Sequence, residues 1–152
     1  MAEPPKIELK PFCPEYQELT KHLILSGLAD HWGQLDPAKN PDLNDIAFTY
    51  AEATFLTAWL ENRLVGTGAL VPHGDGVAEI VRMSVARDLR RGGIGRRILA
   101  ALVQQGRELG FQRIILETTE TWSEVVKFYL SYGFRITHYK DGDVYFALEL
   151  SQ

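Results

Sequence analysis

The chain has 152 residues, 45% hydrophobic and 24% charged, which is the size and balance of one soluble domain spanning residues 1–152. A net charge of −4 with a pI near 5.6 argues against a nucleic-acid scaffold, which carries a basic footprint. One cysteine, Cys13, excludes an internal disulfide and a cysteine metal cluster, while short apolar runs and no hydrophobic core in Met1–Lys6 place the expected location in the cytoplasm, off the membrane.

From the N-terminus, Ile7 to Leu9 is predicted as a strand and Pro14 to Gly27 as a helix with Tyr16, Leu19, Leu23 and Ile24 on its apolar face. Pro37 and Pro41, with Gly33, Asn40 and several aspartates, predict an irregular loop over Asp30 to Asp42, then a second helix over Leu43 to Ala53. Thr54 to Leu60 and Arg63 to Val71 read as a hairpin around Glu61-Asn62. His73-Gly74-Asp75-Gly76 turns into a central strand, Ala78 to Val85, rich in β-branched and apolar residues. Ile94, Ile98, Leu99, Leu102, Val103 and Leu109 recur with the period of a helix that buries one face, and Gly110 stops it.

Arg113 to Thr118 has the unbroken apolar centre of a strand covered on both faces. Thr121 and Glu124 stand at capping-box spacing before a helix that carries Val125, Phe128, Tyr129 and Tyr132. Arg135 to Tyr139 and Val144 to Leu150 form a last hairpin around Asp141-Gly142-Asp143. The sum is an α/β (α+β) fold, a mixed sheet of about seven strands with helices on both faces.

The run Arg90-Arg91-Gly92-Gly93-Ile94-Gly95 falls between the central strand and the amphipathic helix. There the free N–H groups and the positive end of the helix dipole face an anion, and phosphate is the usual guest. A Walker loop is excluded, because no Lys-Ser or Lys-Thr follows a glycine. A dinucleotide fingerprint can start at Gly93-Ile94-Gly95, but its third glycine falls on Ile98; with Glu117 at the distance of a ribose-binding acid, dinucleotide binding is the lesser alternative. Arg87, Arg90, Arg91, Arg96 and Arg97 crowd around the loop, as a polyanionic ligand would require. Arg96 and Arg97 fit a solvated helix surface equally well.

The loop matches Gln/Arg-x-x-Gly-x-Gly/Ala through Arg90, Gly93 and Gly95. With Ala78-Glu79-Ile80, Met83-Ser84-Val85 and the run Phe128-Tyr129-Leu130-Ser131-Tyr132-Gly133-Phe134 in order, the chain resembles the GCN5-related N-acetyltransferases over about residues 55 to 150. The resemblance implies the acyl-CoA N-acyltransferase fold, acetyl-CoA as acyl donor, no metal, and acetyl transfer to a primary amine by direct attack in a ternary complex. A non-catalytic module that senses acyl-CoA is the alternative on the same motifs. By the same resemblance, two parallel strands splay around the pantetheine arm. The backbone of Met83, Ser84 and Val85 bonds that arm, and Arg90, Arg91, Gly92, Gly93, Ile94, Gly95 and Arg96 hold the pyrophosphate.

Attack by an ammonium, whose pKa is roughly 10, needs a base, and the leaving thiolate needs an acid. The resemblance nominates Glu79 as base, where the plainer reading is a strand glutamate paired with Arg82 or facing solvent. It nominates Tyr129 as acid, where the plainer reading is the apolar stripe of its helix. Many relatives carry an asparagine and an alanine where Trp122 and Val125 stand, so Trp122 either covers the pantetheine or packs. The family builds its acceptor wall from segments that here hold His31, Trp32, Asp36, Asp42, Tyr50 and Tyr139, groups suited to a cationic amine, either a small molecule or a peptide. Dimers are common enough among such relatives to make a homodimer the default expectation. His22, His31, His73 and His138 lack metal-ligand spacing and read as surface or packing residues.

Overall fold

In a computed structural model, which describes residues 6–33 and 39–150, seven strands form one sheet. They are β1 (Ile7–Pro11), β2 (Thr54–Leu60), β3 (Arg63–Gly74), β4 (Val77–Val85), β5 (Arg113–Thr119), β6 (Arg135–Lys140) and β7 (Asp143–Glu149), in the order β1-β2-β3-β4-β5-β7-β6. Every neighbouring pair is antiparallel except β4 and β5, which run parallel. The helices are α1 (Gln17–Trp32), α2 (Ile46–Thr49), α3 (Ile94–Glu108) and α4 (Ser123–Tyr132). This mixed order is unlike the doubly wound parallel sheet of a dinucleotide binder, so that alternative falls.

Alternation along the strands builds two cores. Leu70 of β3, Ile80 of β4, Ile114 and Leu116 of β5 and Phe146 of β7 pack with Ile98, Leu99, Leu102 and Val103 of α3. Their strand neighbours point the other way, so that Phe55 and Ala69 meet Ile24 of α1, Leu43 and Ile46. The amphipathic pattern of α3 is as the sequence predicts, apart from Leu109, which lies just past the last helical residue and is 57% exposed. Gly110 follows at φ +85°, as a helix stop requires.

Two expectations near the N-terminus need correction. The first helix does not stop at Gly27 but continues to Trp32, so Asp30 is helical rather than part of a loop. A Cβ at Gly27 would lie 3.0 Å from Ser84 Oγ; the glycine lets α1 rest directly on β4. The second helix, expected over Leu43 to Ala53, shrinks to a 3-10 turn (Pro41–Asn44) and the single turn of α2. Asp45 separates them with extended backbone, and its side chain accepts a hydrogen bond from Phe48 N at 3.2 Å. The local cap thus outcompetes helix continuation.

Two irregularities on β3 and β4 position the site. Thr67 pairs with Ser84 and Ala69 with Val81, so Gly68 faces two residues of β4, Arg82 and Met83. Arg82 takes φ +56° at this bulge, which turns its side chain out of the strand's regular alternation. Gly68 is required here for space, since a Cβ would sit 2.6 Å from Met83 Sδ and 2.7 Å from Ile98 Cγ2. Gly68→Ala is therefore expected to cost about 2 kcal/mol through overpacking, read as a lower urea midpoint at unchanged slope. A midpoint equal to that of the parent protein would show that the bulge yields freely.

The parallel pairing is short. Val77, Ala78 and Glu79 pair with Arg113, Ile114 and Ile115, and there the register ends. Beyond Glu79, β4 continues to Val85 paired only with β3, while β5 continues to Thr119 paired only with β7. A cleft opens between two strands of one sheet. Among the described residues, no helix is long and apolar enough to cross a membrane.

Candidate active site

The cleft's carboxyl end is closed by the glycine loop. After β4 the chain makes a 3-10 turn (Arg87–Leu89), passes Arg91 at φ +70°, and enters α3 through Gly93, the N-cap, at φ +90° and ψ 0°. A left-handed N-cap suits glycine, and Gly93 O accepts from Arg97 N at 3.1 Å to begin the helix. The first N–H groups of α3 thus have no intrahelical acceptor and point out of the helix end. A Cβ at Gly95 would stand 3.5 Å from Val85 Cγ2 and 3.6 Å from Phe128 Cζ, so the end of β4, the start of α3 and α4 converge at the loop. Free N–H groups, a dipole end and an open strand edge fit a pyrophosphate with an extended arm.

The loop arginines are tethered. Arg90 Nε donates to Val85 O at 3.2 Å and Nη2 to Asp30 Oδ2 at 3.1 Å, which ties the loop to α1. Arg91 Nη2 donates to Glu124 Oε2 at 2.6 Å across the cleft mouth, and both side chains are exposed. That pair corrects the predicted capping box. The N-cap of α4 is Trp122, and no side chain caps it; Glu124 serves the loop instead. Arg96 lies over the Tyr132 ring at 5.2 Å, and Arg97 Nη1 donates to Ile7 O at 2.9 Å. Those two are held on the helix surface.

At the opposite end of the cleft lies a cavity of about 360 Å³ lined by Asp42, Tyr50, Glu79, Ile80, Val81, Arg82 and Glu117. Arg82 Nε and Nη2 grip Asp42 at 2.9 and 2.6 Å, Nη2 also reaches Asn40 Oδ1 at 3.1 Å, and Tyr50 Oη donates to Asp42 Oδ2 at 2.6 Å. Burial works against the Asp42 charge, but the bonds from Arg82 and Tyr50 outweigh it and hold the carboxyl below its ordinary range. Burial, then the bond to Asp42, pushes the Tyr50 phenol up to about 12. Glu79 Oε1 lies 2.7 Å from His73 Nε2. The Glu117 carboxylate beside Tyr145 holds that phenol above its usual range.

Comparison with known proteins agrees with this geometry. The family model described as "Acetyltransferase (GNAT) family" matches residues 18–134. The chain belongs to the GNAT acetyltransferase family. It is 30% identical over 113 residues to the IAA acetyltransferase of Azospirillum brasilense, covering 73% of this chain and 74% of that one. It is 29% identical over 103 residues to N-acetyltransferase 8F1 of Rattus norvegicus, covering 63% of this chain and 47% of that one; the chain spans about half the length of such vertebrate relatives. Among solved structures, a GNAT-family acetyltransferase from Staphylococcus aureus superposes with a TM-score of 0.88 at 22% identity, covering 96% of this chain and all of that one. The PaiA N-acetyltransferase of Thermoplasma acidophilum, solved with coenzyme A, gives 0.83 at 18%, covering 95% and 99%. At such identities the structures establish the acyl-CoA N-acyltransferase fold, and family membership makes this chain an acetyl-CoA-dependent acetyltransferase.

In this GNAT chain, Met83, Ser84 and Val85 lie on the stretch of β4 that has left β5 and keeps only β3 as a neighbour, and Glu79 is the last residue paired with β5 before the cleft opens. Tyr129 is 6% exposed on α4, with its ring against Phe128, Phe134 and Phe146. Of the residues expected on the acceptor wall, Asp42 and Tyr50 line the cavity, while Tyr139, 62% exposed on β6, does not. Asp36 and the side chains of His31 and Trp32 lie outside the described residues. Arg82, expected as the plain partner of Glu79, pairs with Asp42 instead, and His73 takes its place beside Glu79. Sequence reasoning missed His73, Arg82 and Glu117 as lining or supporting groups. His73 and Glu79 flank one tight turn six residues apart, and Glu117 follows Ile115, the partner of Glu79, by two. Those spacings were the available signal.

Proposed function

We propose that the chain transfers the acetyl group of acetyl-CoA to a small cationic primary amine by direct attack in a ternary complex. The parting of β4 from β5 after Glu79 and Ile115 carries this reading, because it separates a phosphate-suited glycine loop from a carboxylate-lined cavity by the length of one open strand edge. Arg90 to Arg96 cradle the pyrophosphate through the N–H groups of Gly92, Gly93, Ile94 and Gly95, with Arg90 and Arg91 adding charge. The backbone of Met83, Ser84 and Val85 bonds the pantetheine arm. Bound there, acetyl-CoA supplies a thioester whose carbonyl carbon the amine attacks.

Glu79 takes the proton from the acceptor's ammonium, which frees the lone pair for attack. An N–H of β4 beside the cleft stabilises the charge that develops on the carbonyl oxygen. As the C–N bond forms and the C–S bond breaks, Tyr129 donates its hydroxyl proton to the sulfur; the nitrogen's second proton leaves to water, from which the Tyr129 phenolate regains its own. Burial raises the Tyr129 phenol above its ordinary range. Glu79 and Glu117, with Asp42 already matched by Arg82, leave the cavity an excess of negative charge that favours a cation.

Titration calorimetry with acetyl-CoA, followed by thiol release over benzylamine, 1,4-diaminobutane, glycinamide and an alanyl peptide, tests the reading. Gly93→Glu is expected to weaken acetyl-CoA binding at least about 100-fold, because it forces a side chain into a left-handed position and sets an anion where the dipole receives one. Undiminished binding would remove the loop from the cofactor site. Binding by the parent protein without thiol release from any amine would move the weight to an acyl-CoA sensor.

A further inference from the structure

Glu79 is where the cavity meets the β3–β4 turn, and its surroundings are unusual for a strand carboxylate. Pro72 pairs with Ala78 and Gly74 with Val77, so β3 carries one residue more than β4 between those pairs. The extra residue is His73. A bulge re-aims the side chain it carries, and here the imidazole Nε2 comes within 2.7 Å of Glu79 Oε1. The Glu79 side chain is 21% exposed and lines the cavity, whereas His73 is 47% exposed outside it. Among the described residues, His73 is the group that hydrogen-bonds Glu79 or pairs with it.

A carboxylate on a strand has freedom about its terminal torsion. Held at Oε1 by an N–H donor, Glu79 has its other oxygen, Oε2, left for a ligand of the cavity it lines. We infer that His73 is a positioning residue for acetyl transfer: its Nε2–H fixes Oε1 so that Oε2 faces the acceptor's ammonium. The inference rests on Glu79 being the base and deepens that reading. In the step concerned, one N–H bond of the ammonium breaks and its proton moves to Oε2, leaving the lone pair on nitrogen. The Nε2–H···Oε1 bond persists throughout, and the proton on Oε2 leaves to water once the product departs. His73 neither gains nor loses a proton.

Steady-state kinetics with acetyl-CoA and the fastest amine of the panel above test the idea through three variants. Glu79→Gln is the reference for the base. His73→Ala is expected to lower kcat about 10-fold, a fraction of the range a general base supplies, while KM and calorimetric affinity for acetyl-CoA stay at parent values. His73→Gln, whose amide Nε2–H can still donate to Oε1, is expected to recover kcat to within about 3-fold of the parent, since a neutral donor makes the same bond. If His73→Ala keeps parental kcat, or if His73→Gln is as slow as His73→Ala, His73 does not position the base and the inference is overturned while the Glu79 reading stands. If Glu79→Gln itself keeps parental kcat, the base reading falls and takes the inference with it. A His73→Ala protein with weakened acetyl-CoA binding would mark a structural role, and that too overturns the inference.

Discussion

Glu79→Gln is expected to lower kcat about 100-fold at pH 7, close to 3 kcal/mol of transition-state stabilisation, with acetyl-CoA affinity unchanged. Glutamine keeps the side chain's size and still accepts a hydrogen bond from His73, so the cavity and the turn survive. What disappears is the ability to accept a proton. The deficit is expected to narrow as pH rises towards the acceptor's own pKa of roughly 10, because free amine then arrives without help. A pH series of kcat for both proteins checks this. A constant ratio across the series would mean that Glu79 binds the acceptor without moving its proton.

Asp42→Ala carries the second large effect, on stability. It strips the acceptor from Arg82 and from the Tyr50 hydroxyl at once. Removing one side of a fully buried ion pair costs about 3–5 kcal/mol. The Arg82 and Asp42 side chains keep 19% and 23% of their exposure, so water screens part of the loss and about 2 kcal/mol is the expected fall at pH 7.

The same contact sets a pH dependence. Asp42 has its carboxyl depressed in the folded state, so its contribution is complete above the unfolded carboxylate value, roughly 3.9, and drains away as pH falls through the lower folded value. Urea titrations at neutral and acid pH should show the parent and Asp42→Ala proteins converging as the solution is acidified. A gap that stays constant would assign the loss to packing.

What was legible in the sequence was whatever is written within a few residues. The span Thr54–Leu60 of β2 is as predicted because its turn residues and apolar run are adjacent in the chain. Likewise α3 follows from one period and one glycine stop. Family motifs then located the glycine loop, the open stretch of β4 and Glu79. Features that failed to show depend on distant partners. Gly27 resembles a helix end by composition, and only the approach of Ser84 makes it an interior residue. Thr121 and Glu124 have capping-box spacing, yet Arg91 draws Glu124 away. Arg82 points to Asp42 because of a bulge that no local pattern announces, and the contact of the exposed His73 with Glu79 rests on an extra residue in β3 that has no signature of its own.

The three-residue parallel seam has a consequence for how the chain comes together. On one side β2, β3 and β4 join through successive tight hairpins, and on the other β6 and β7 do the same, contacts that close small loops and form early. Val77 to Glu79 can meet Arg113 to Ile115 only after the intervening α3 has crossed the sheet, which closes a much longer loop. The two halves are therefore natural folding units, and the seam between them is expected to lock after the hairpins on either side.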